Sequence, residues 1–222
     1  MRDAARLDSA AVCAPARRGS WKTSALRAAV VSLLLLGALY GWSRLQQHAT
    51  AVHGTPLEHV AAPAFSGLVD TQGRAFSWQQ QRGDAVLVFF GYTHCPDVCP
   101  ITLAALAQSL QRLGPLRQRA HVVFVTLDPA RDTAPVLRAY LDAFLPDAIG
   151  LRGSLAAVSA SARQWGVSWR RIDTADGNYW LDHTAAVTLV GPHGHLVARY
   201  GYAQLTDPGW LAGDLRTVLE RR

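Results

Sequence analysis

Methionine is all but missing from this 222-residue chain: the single one is Met1, so no thioether sulfur is available in its body to hold a soft metal. Cysteine is nearly as scarce, with only Cys13, Cys95 and Cys99. Internal repeats are absent, as is any basic stripe interleaved with aromatics of the kind that tracks nucleic acid. The net charge of +6 does not argue otherwise. Six of the 22 basic residues (Arg2, Arg6, Arg17, Arg18, Lys22, Arg27) precede residue 44 against two acidic ones, Asp3 and Asp8. The remaining 16 basic and 14 acidic residues nearly cancel. At 50% hydrophobic, the chain can bury one substantial core.

What is present begins with an uncharged stretch, AAVVSLLLLGALYGW at 28–42, set between Arg27 and Arg44. It is short for the roughly 20 residues that span a bilayer, though Ser43 and snorkelling arginines at both ends extend it. Basic residues crowd its N-terminal side, and after Arg44 the next is Arg74. The positive-inside bias then keeps the N-terminus in the cytoplasm and exports the rest. Ala49-Thr50-Ala51 resembles a signal-peptide cleavage site, but the 27-residue lead-in is long for a signal peptide. The expected organisation is a basic cytoplasmic N-terminus at 1–27, a transmembrane anchor at 28–43, a polar tether at 44–63 and one exported domain at 64–222.

Within that domain the pattern reads as α/β. DAVLVFFGY (84–92) and HVVFVTLD (121–128) are continuous apolar runs, as in strands buried on both faces. VCPITLAALAQSLQRLG (98–114), TAPVLRAYLDAFL (133–145) and SLAAVSASARQWG (154–166) read as helices. A short hairpin is expected to turn at 70–73, and VSWRRI (167–172) alternates like a strand before a polar loop at 173–183. A hairpin about Gly191-Pro192-His193-Gly194 and a helix capped by Thr206 or Asp207 complete a three-layer domain with a mixed sheet.

The chemistry concentrates in FFGYTHCPDVCP (89–100), where a buried strand gives way to a helix. A bridge between Cys95 and Cys99 would enclose three residues and remove little chain entropy, so the pair is a poor staple. Pro100 suits a first helical turn, and Asp97 is the expected N-cap. Cysteines at a helix start are biased toward thiolate, which both redox and metal chemistry require. Two thiolates are soft donors that select Cu(I) or zinc. With no further cysteine or methionine in the exported domain, another ligand has to be histidine or oxygen; the candidates are His48, His53, His59, His94, His121, His183, His193 and His195. His183 is the best placed, because in a thioredoxin-like sheet the strand after it begins beside the cysteine-bearing helix start. The other histidines read as tether, surface or turn residues. Asp128, Pro129 and Asp132 read as turn and cap residues, with support of the metal ligands or partner docking as the alternative, and Tyr92, Trp169, Tyr179 and Trp180 as either core or docking surface.

GYTHCPDVCP (91–100), TLDPARDT (126–133), LRAYL (137–141) and DHTAAVTLV (182–190) together resemble the Sco/SenC family, over roughly residues 60–220 plus the anchor. The resemblance implies a membrane-anchored, thioredoxin-like α/β domain that binds copper, as Cu(I) or Cu(II), through Cys95, Cys99 and His183. It implies delivery to the CuA site on subunit II of cytochrome c oxidase, with a copper donor chaperone upstream and no nucleic acid. The implied location is the inner (cytoplasmic) membrane, single-pass, with the C-terminal domain in the periplasm. The family usually has Asp-His-Ser where this chain has Asp182-His183-Thr184, a conservative departure. A thiol–disulfide oxidoreductase using the Cys95–Cys99 redox pair, which would keep partner cysteines reduced, is the competing function.

Overall fold

A computed structural model describes residues 21–50 and 52–220, with the side chains of 21–23 and 43–50 left undescribed. Cys13, most of the basic N-terminus, Ala51 of the cleavage-like site and the His48 side chain therefore lie outside the described residues.

The first element is a helix, α1 (Trp21–Thr50). Its apolar part, Ser24–Trp42, spans 19 residues with a mean hydropathy of 1.7. At 1.5 Å per residue that is about 28 Å, close to the roughly 30 Å of a bilayer's hydrocarbon core. By length and composition it is long enough to cross a membrane, and it starts four residues before the expected anchor.

The second compact unit is Val52–Arg222. Its seven-stranded sheet runs β1 (Thr55–Pro56), β9 (Leu196–Tyr200), β8 (Val187–Val190), β3 (Ala85–Gly91), β4 (Ala120–Thr126), β5 (Ile149–Gly153), β2 (Leu68–Asp70). The β3, β4 and β5 strands are mutually parallel and every other pairing is antiparallel, so the expected mixed sheet is present. The β3 strand is central and buried along its whole length, which accounts for its unbroken Val/Phe composition. Side chains alternate across it. Phe89 meets Phe124 on one face, and Phe90 meets Trp165 on the other, within a cluster that includes Phe65, Phe76 and Trp78. Helices α2 (Val98–Gln111), α3 (Ala134–Asp142), α4 (Leu155–Gln164) and α6 (Pro208–Glu220) supply the outer layers, with the single turn α5 (Tyr202–Leu205) leading into α6.

Two readings of the sequence are corrected. The stretch at 44–63 is not a free tether: α1 continues to Thr50, and from Val52 the chain is fixed to the domain. Thr55 and Pro56 pair with β9, Ala61 bridges His195, and His53 donates its backbone N–H to buried Asp214 while its Nδ1 lies 2.8 Å from the same carboxylate. The polar stretch at 173–183 is likewise not all loop. Its second half is β7 (Tyr179–His183), which pairs in register with β6 (Trp169–Asp173) as a separate two-stranded ribbon. The polar residues just before it, at 173–178, hid it, and both strands of the ribbon are largely exposed.

Candidate metal centre

The β3 strand ends at Gly91 and α2 starts at Val98, so Cys95 lies in the intervening loop and Cys99 in the first helical turn. Cys99 is fully buried, its sulfur pressed against the end of the strand: a Cβ built on Gly91 would come within 2.9 Å of it. Asp97 occupies the N-cap position, but its carboxylate makes no capping hydrogen bond. The Cys95 sulfur takes that role instead, accepting the Cys99 N–H at 3.4 Å and the backbone N–H of Asp97. A large, polarisable acceptor at the positive end of the helix is stabilised as thiolate.

The two cysteines divide the proton between them. The Cys99 thiol donates to the Cys95 sulfur, the largest influence on both groups; with His183 and the two backbone N–H donors it holds Cys95 well below the usual thiol range against the cost of burial. Cys99 is pushed far up by that same contact and by its own burial. The reduced protein thus carries one thiolate and one thiol at neutral pH. Alkylation with iodoacetamide at pH 6 should accordingly modify Cys95 and spare Cys99, although an ordinary cysteine is only about 0.3% thiolate at that pH. Peptide mass spectrometry reads the order; faster labelling of Cys99 would overturn the assignment.

His183 closes the group from the end of β7. Its Nε2 lies 3.6 Å from the Cys99 sulfur, and its Nδ1 lies 3.2 Å from the Thr184 carbonyl oxygen. A carbonyl only accepts, so Nδ1 carries a proton and Nε2 is the nitrogen turned to the sulfurs, the one available to a metal. The ring is braced by Phe89 and by buried Tyr92, whose ring meets it edge-on at 5.9 Å. All three ligand atoms lie within 4.8 Å of one another. Nitrogen and thiolate donors bind a metal at about 2.0–2.3 Å, which spaces three donors around one ion about 3.5–4 Å apart. Small side-chain adjustments close the site. On the His183 side lies an open cleft of about 360 Å³, lined by Ser168, Trp169, Arg170, Asp182, His183 and Thr184.

The other candidate histidines are engaged elsewhere. His94 is exposed and turned to Thr93 Oγ1 at 3.0 Å and Asp132 Oδ1 at 3.8 Å. His53 is held by Asp214 and stacked on Trp210; His121 is bound to Asp84 at 3.0 Å. His59, His193 and His195 are exposed. Among the described residues, Cys95, Cys99 and His183 form the one cluster with metal-ligand spacing.

Three parts support this group, and of these the sequence singled out only the aspartates. One is the space that Gly91 leaves for Cys99. Another is Asp132, fully buried, whose carboxylate accepts from the Thr93 N–H (3.1 Å), the Thr93 hydroxyl (2.6 Å) and the Thr126 hydroxyl (2.5 Å), fixing the loop two residues before Cys95. The last is the contact of Asp128 and Arg131 with Tyr179 of β7. Two aspartates within five residues after a buried strand was the available signal, and it reads equally well as turn chemistry. Of the aromatics left open between core and surface, Tyr92 is core, Trp180 is exposed, and Trp169 and Tyr179 are intermediate.

A family model described as SCO1/SenC matches residues 56–220. The SCO2-like protein of Rickettsia felis is 32% identical over 177 residues, covering 77% of this chain and 86% of that protein. The mitochondrial SCO2 homolog of Mus musculus is 32% identical over 206 residues, covering 86% and 79% respectively. Among solved structures, Bradyrhizobium japonicum ScoI with copper bound superposes with a TM-score of 0.62 at 32% identity, over 76% of this chain and 99% of that one. Apo Sco1 from Thermus thermophilus gives 0.64 at 35% identity, over 75% and 96%.

Proposed function

The chain belongs to the SCO1/SenC family, and from that premise we propose that it is a membrane-anchored copper metallochaperone whose cargo is held by Cys95, Cys99 and His183. The observation that carries this reading is the convergence of two sulfurs and the imidazole Nε2 of His183 on one point beside an open cleft. A zinc site of the structural kind would call for a fourth protein ligand. Three donors, two of them soft, suit copper, and they leave the ion open to an incoming ligand. Copper can then pass by stepwise exchange, the recipient's ligands adding as the donor's depart.

The recipient we propose is the CuA site on subunit II of cytochrome c oxidase, with a copper donor chaperone upstream. Helix α1 would anchor the chain in the inner membrane, with residues from Val52 onward in the periplasm. The copper-bound relative supports the cargo; the apolar length of α1 and the basic residues before it support the anchoring. Oxidation of the Cys95 thiolate and Cys99 thiol to a disulfide, releasing one proton and passing two electrons to an external acceptor such as another disulfide, would remove both sulfur ligands and switch binding off.

Titration of the full chain, reduced and in detergent, with Cu(I) should give about one ion per chain, since three ligands define one site. Cys95→Ala and Cys99→Ala should each abolish tight binding, and His183→Ala should weaken it. Either cysteine variant binding as tightly as the parent would overturn the site. The Cys95 thiolate also favours a second reading, thiol–disulfide exchange with a partner's cysteines. The histidine separates the two: exchange needs only the sulfurs, so His183→Ala should leave its rate largely intact while copper affinity falls.

A further inference from the structure

The three ligands rest on two different foundations. Cys95 and Cys99 sit where the central strand of the main sheet meets α2, whereas His183 ends a ribbon, β6–β7, that shares no ladder with that sheet. Something other than strand pairing has to set where the imidazole stands. Side chains alternate along β7, so Tyr179, Leu181 and His183 share the face turned to the domain; Leu181 is buried there.

Tyr179 is seized from the turn after β4. Arg131 Nη1 donates to the Tyr179 carbonyl at 3.0 Å and to Asn178 Oδ1 at 3.1 Å, while its Nε donates to buried Asp128. The Tyr179 hydroxyl donates to the other Asp128 oxygen at 2.9 Å. The Arg131 guanidinium carbon stands 3.6 Å from the centre of the Tyr179 ring, and that of Arg171 stands 3.8 Å from it. The same turn also holds the cysteine loop. The Asp128 N–H donates to Thr126 Oγ1 (2.9 Å), the Thr126 hydroxyl donates to Asp132, and Asp132 holds Thr93. One unbroken hydrogen-bonded path therefore runs from Tyr179, four residues before His183, to Thr93, two residues before Cys95.

We propose that the Arg131–Asp128–Tyr179 clasp is the positioning element for His183, registering the imidazole against the dithiol through the turn at 126–132. The proposal rests on the copper-binding reading above and adds to it residues that never touch the ion. Groups that orient metal ligands from outside typically govern affinity by about 10- to 100-fold.

The test uses the full chain in detergent. Tyr179→Ala removes the ring and hydroxyl from a half-buried rim position; Arg131→Ala removes the other half but leaves Asp128 buried and unpaired, so Tyr179→Ala is the primary variant and Tyr179→Phe, which keeps the ring, should fall between it and the parent. Tyr179→Ala should lower Cu(I) affinity about 10- to 100-fold. It should also weaken the imidazole-nitrogen signal in electron spin-echo spectra of the Cu(II)-loaded protein, and speed amide exchange at 179–183 in the metal-free protein. In a His183→Ala background it should cost nothing further, because only the histidine transmits its effect. An undiminished imidazole signal in Tyr179→Ala, or an equal affinity loss with and without His183, would overturn the clasp. If the parent itself takes up no copper, the copper reading fails, and amide exchange at 179–183 decides the clasp alone: unchanged protection in Tyr179→Ala refutes it.

Discussion

Gly91→Ala should disable the copper site without altering a ligand. Gly91 is the last residue of β3, and an added Cβ would lie 2.9 Å from the Cys99 sulfur and 3.0 Å from the Phe124 ring. Neither neighbour can yield without cost. Cys99 is clamped in the first turn of α2 with no exposed surface, and Phe124 is wedged between Phe89 and Tyr140. The backbone cannot retreat either, because the Gly91 carbonyl accepts the Leu127 N–H at 2.7 Å while its strand pairs with β4. Overpacking of this kind costs about 1–3 kcal/mol, and here it is relieved by pushing the sulfur out of line. Urea unfolding should show that loss, and competition titration should show copper affinity down at least tenfold (~1.4 kcal/mol). Gly213→Ala is the matched control: a Cβ there meets nothing within 4 Å on a helix, so the change should be neutral or stabilising by up to about 1 kcal/mol. Parent-like copper affinity in Gly91→Ala would show that the Cys99 sulfur has room to spare.

Asp132→Ala should be the most destabilising change outside the apolar core. Its carboxylate accepts three hydrogen bonds in a fully buried position, and removal strands the Thr126 hydroxyl, itself buried, with no acceptor. Hydrogen bonds to a charged group contribute about 1.5–3 kcal/mol each. Thr93 is only half-buried and can turn to water, so the expected net loss is about 2–4 kcal/mol rather than the full sum. Against a typical total of about 5–15 kcal/mol that is a large fraction. The functional consequence is separate from the stability loss. With Thr93 released, the loop carrying Cys95 loses its anchor, so copper affinity should fall even at temperatures where the variant is fully folded. Thermal unfolding and copper titration at 15 °C, performed on one preparation, distinguish the two effects; unchanged affinity in folded Asp132→Ala would show that the loop is held by α2 alone.

The parts of the fold that follow from local pattern were legible in the sequence. The apolar runs of β3 and β4, the α2 helix behind Pro100, and the hairpin about residues 191–194 all stand where hydrophobic period and turn chemistry put them. What escaped was set by packing. The β5 strand carries Gly150 and Gly153, which dilute its apolar signature. Both are required by neighbours, since a Cβ would strike Leu141 and Leu137 at the first and the Gly67 carbonyl at the second. The β7 strand is only five residues long, follows the polar run at 173–178 and pairs only within an exposed ribbon, so no long apolar run marks it. At the candidate metal centre the proposed ligands were suggested by residue type, but the packing around them was not. Asp97 has every local mark of a helix cap and is not used as one, because a sulfur four residues before Cys99 reaches the same N–H first. No window of sequence contains the competition between them.

The short pairing at the sheet's margin bears on how the unit from Val52 onward can be handled. An open strand edge is a template on which another chain can stack. Thr55–Pro56 and the Ala61–His195 bridge lie along β9 on that side, and Pro56 has no N–H to offer a further strand. A fragment cut near residue 52 keeps this selvage; one cut near residue 64, where sequence alone would place the domain boundary, bares the length of Leu196–Tyr200. Sticky behaviour in the shorter fragment would then be a property of where the cut was made, and not of the copper protein itself.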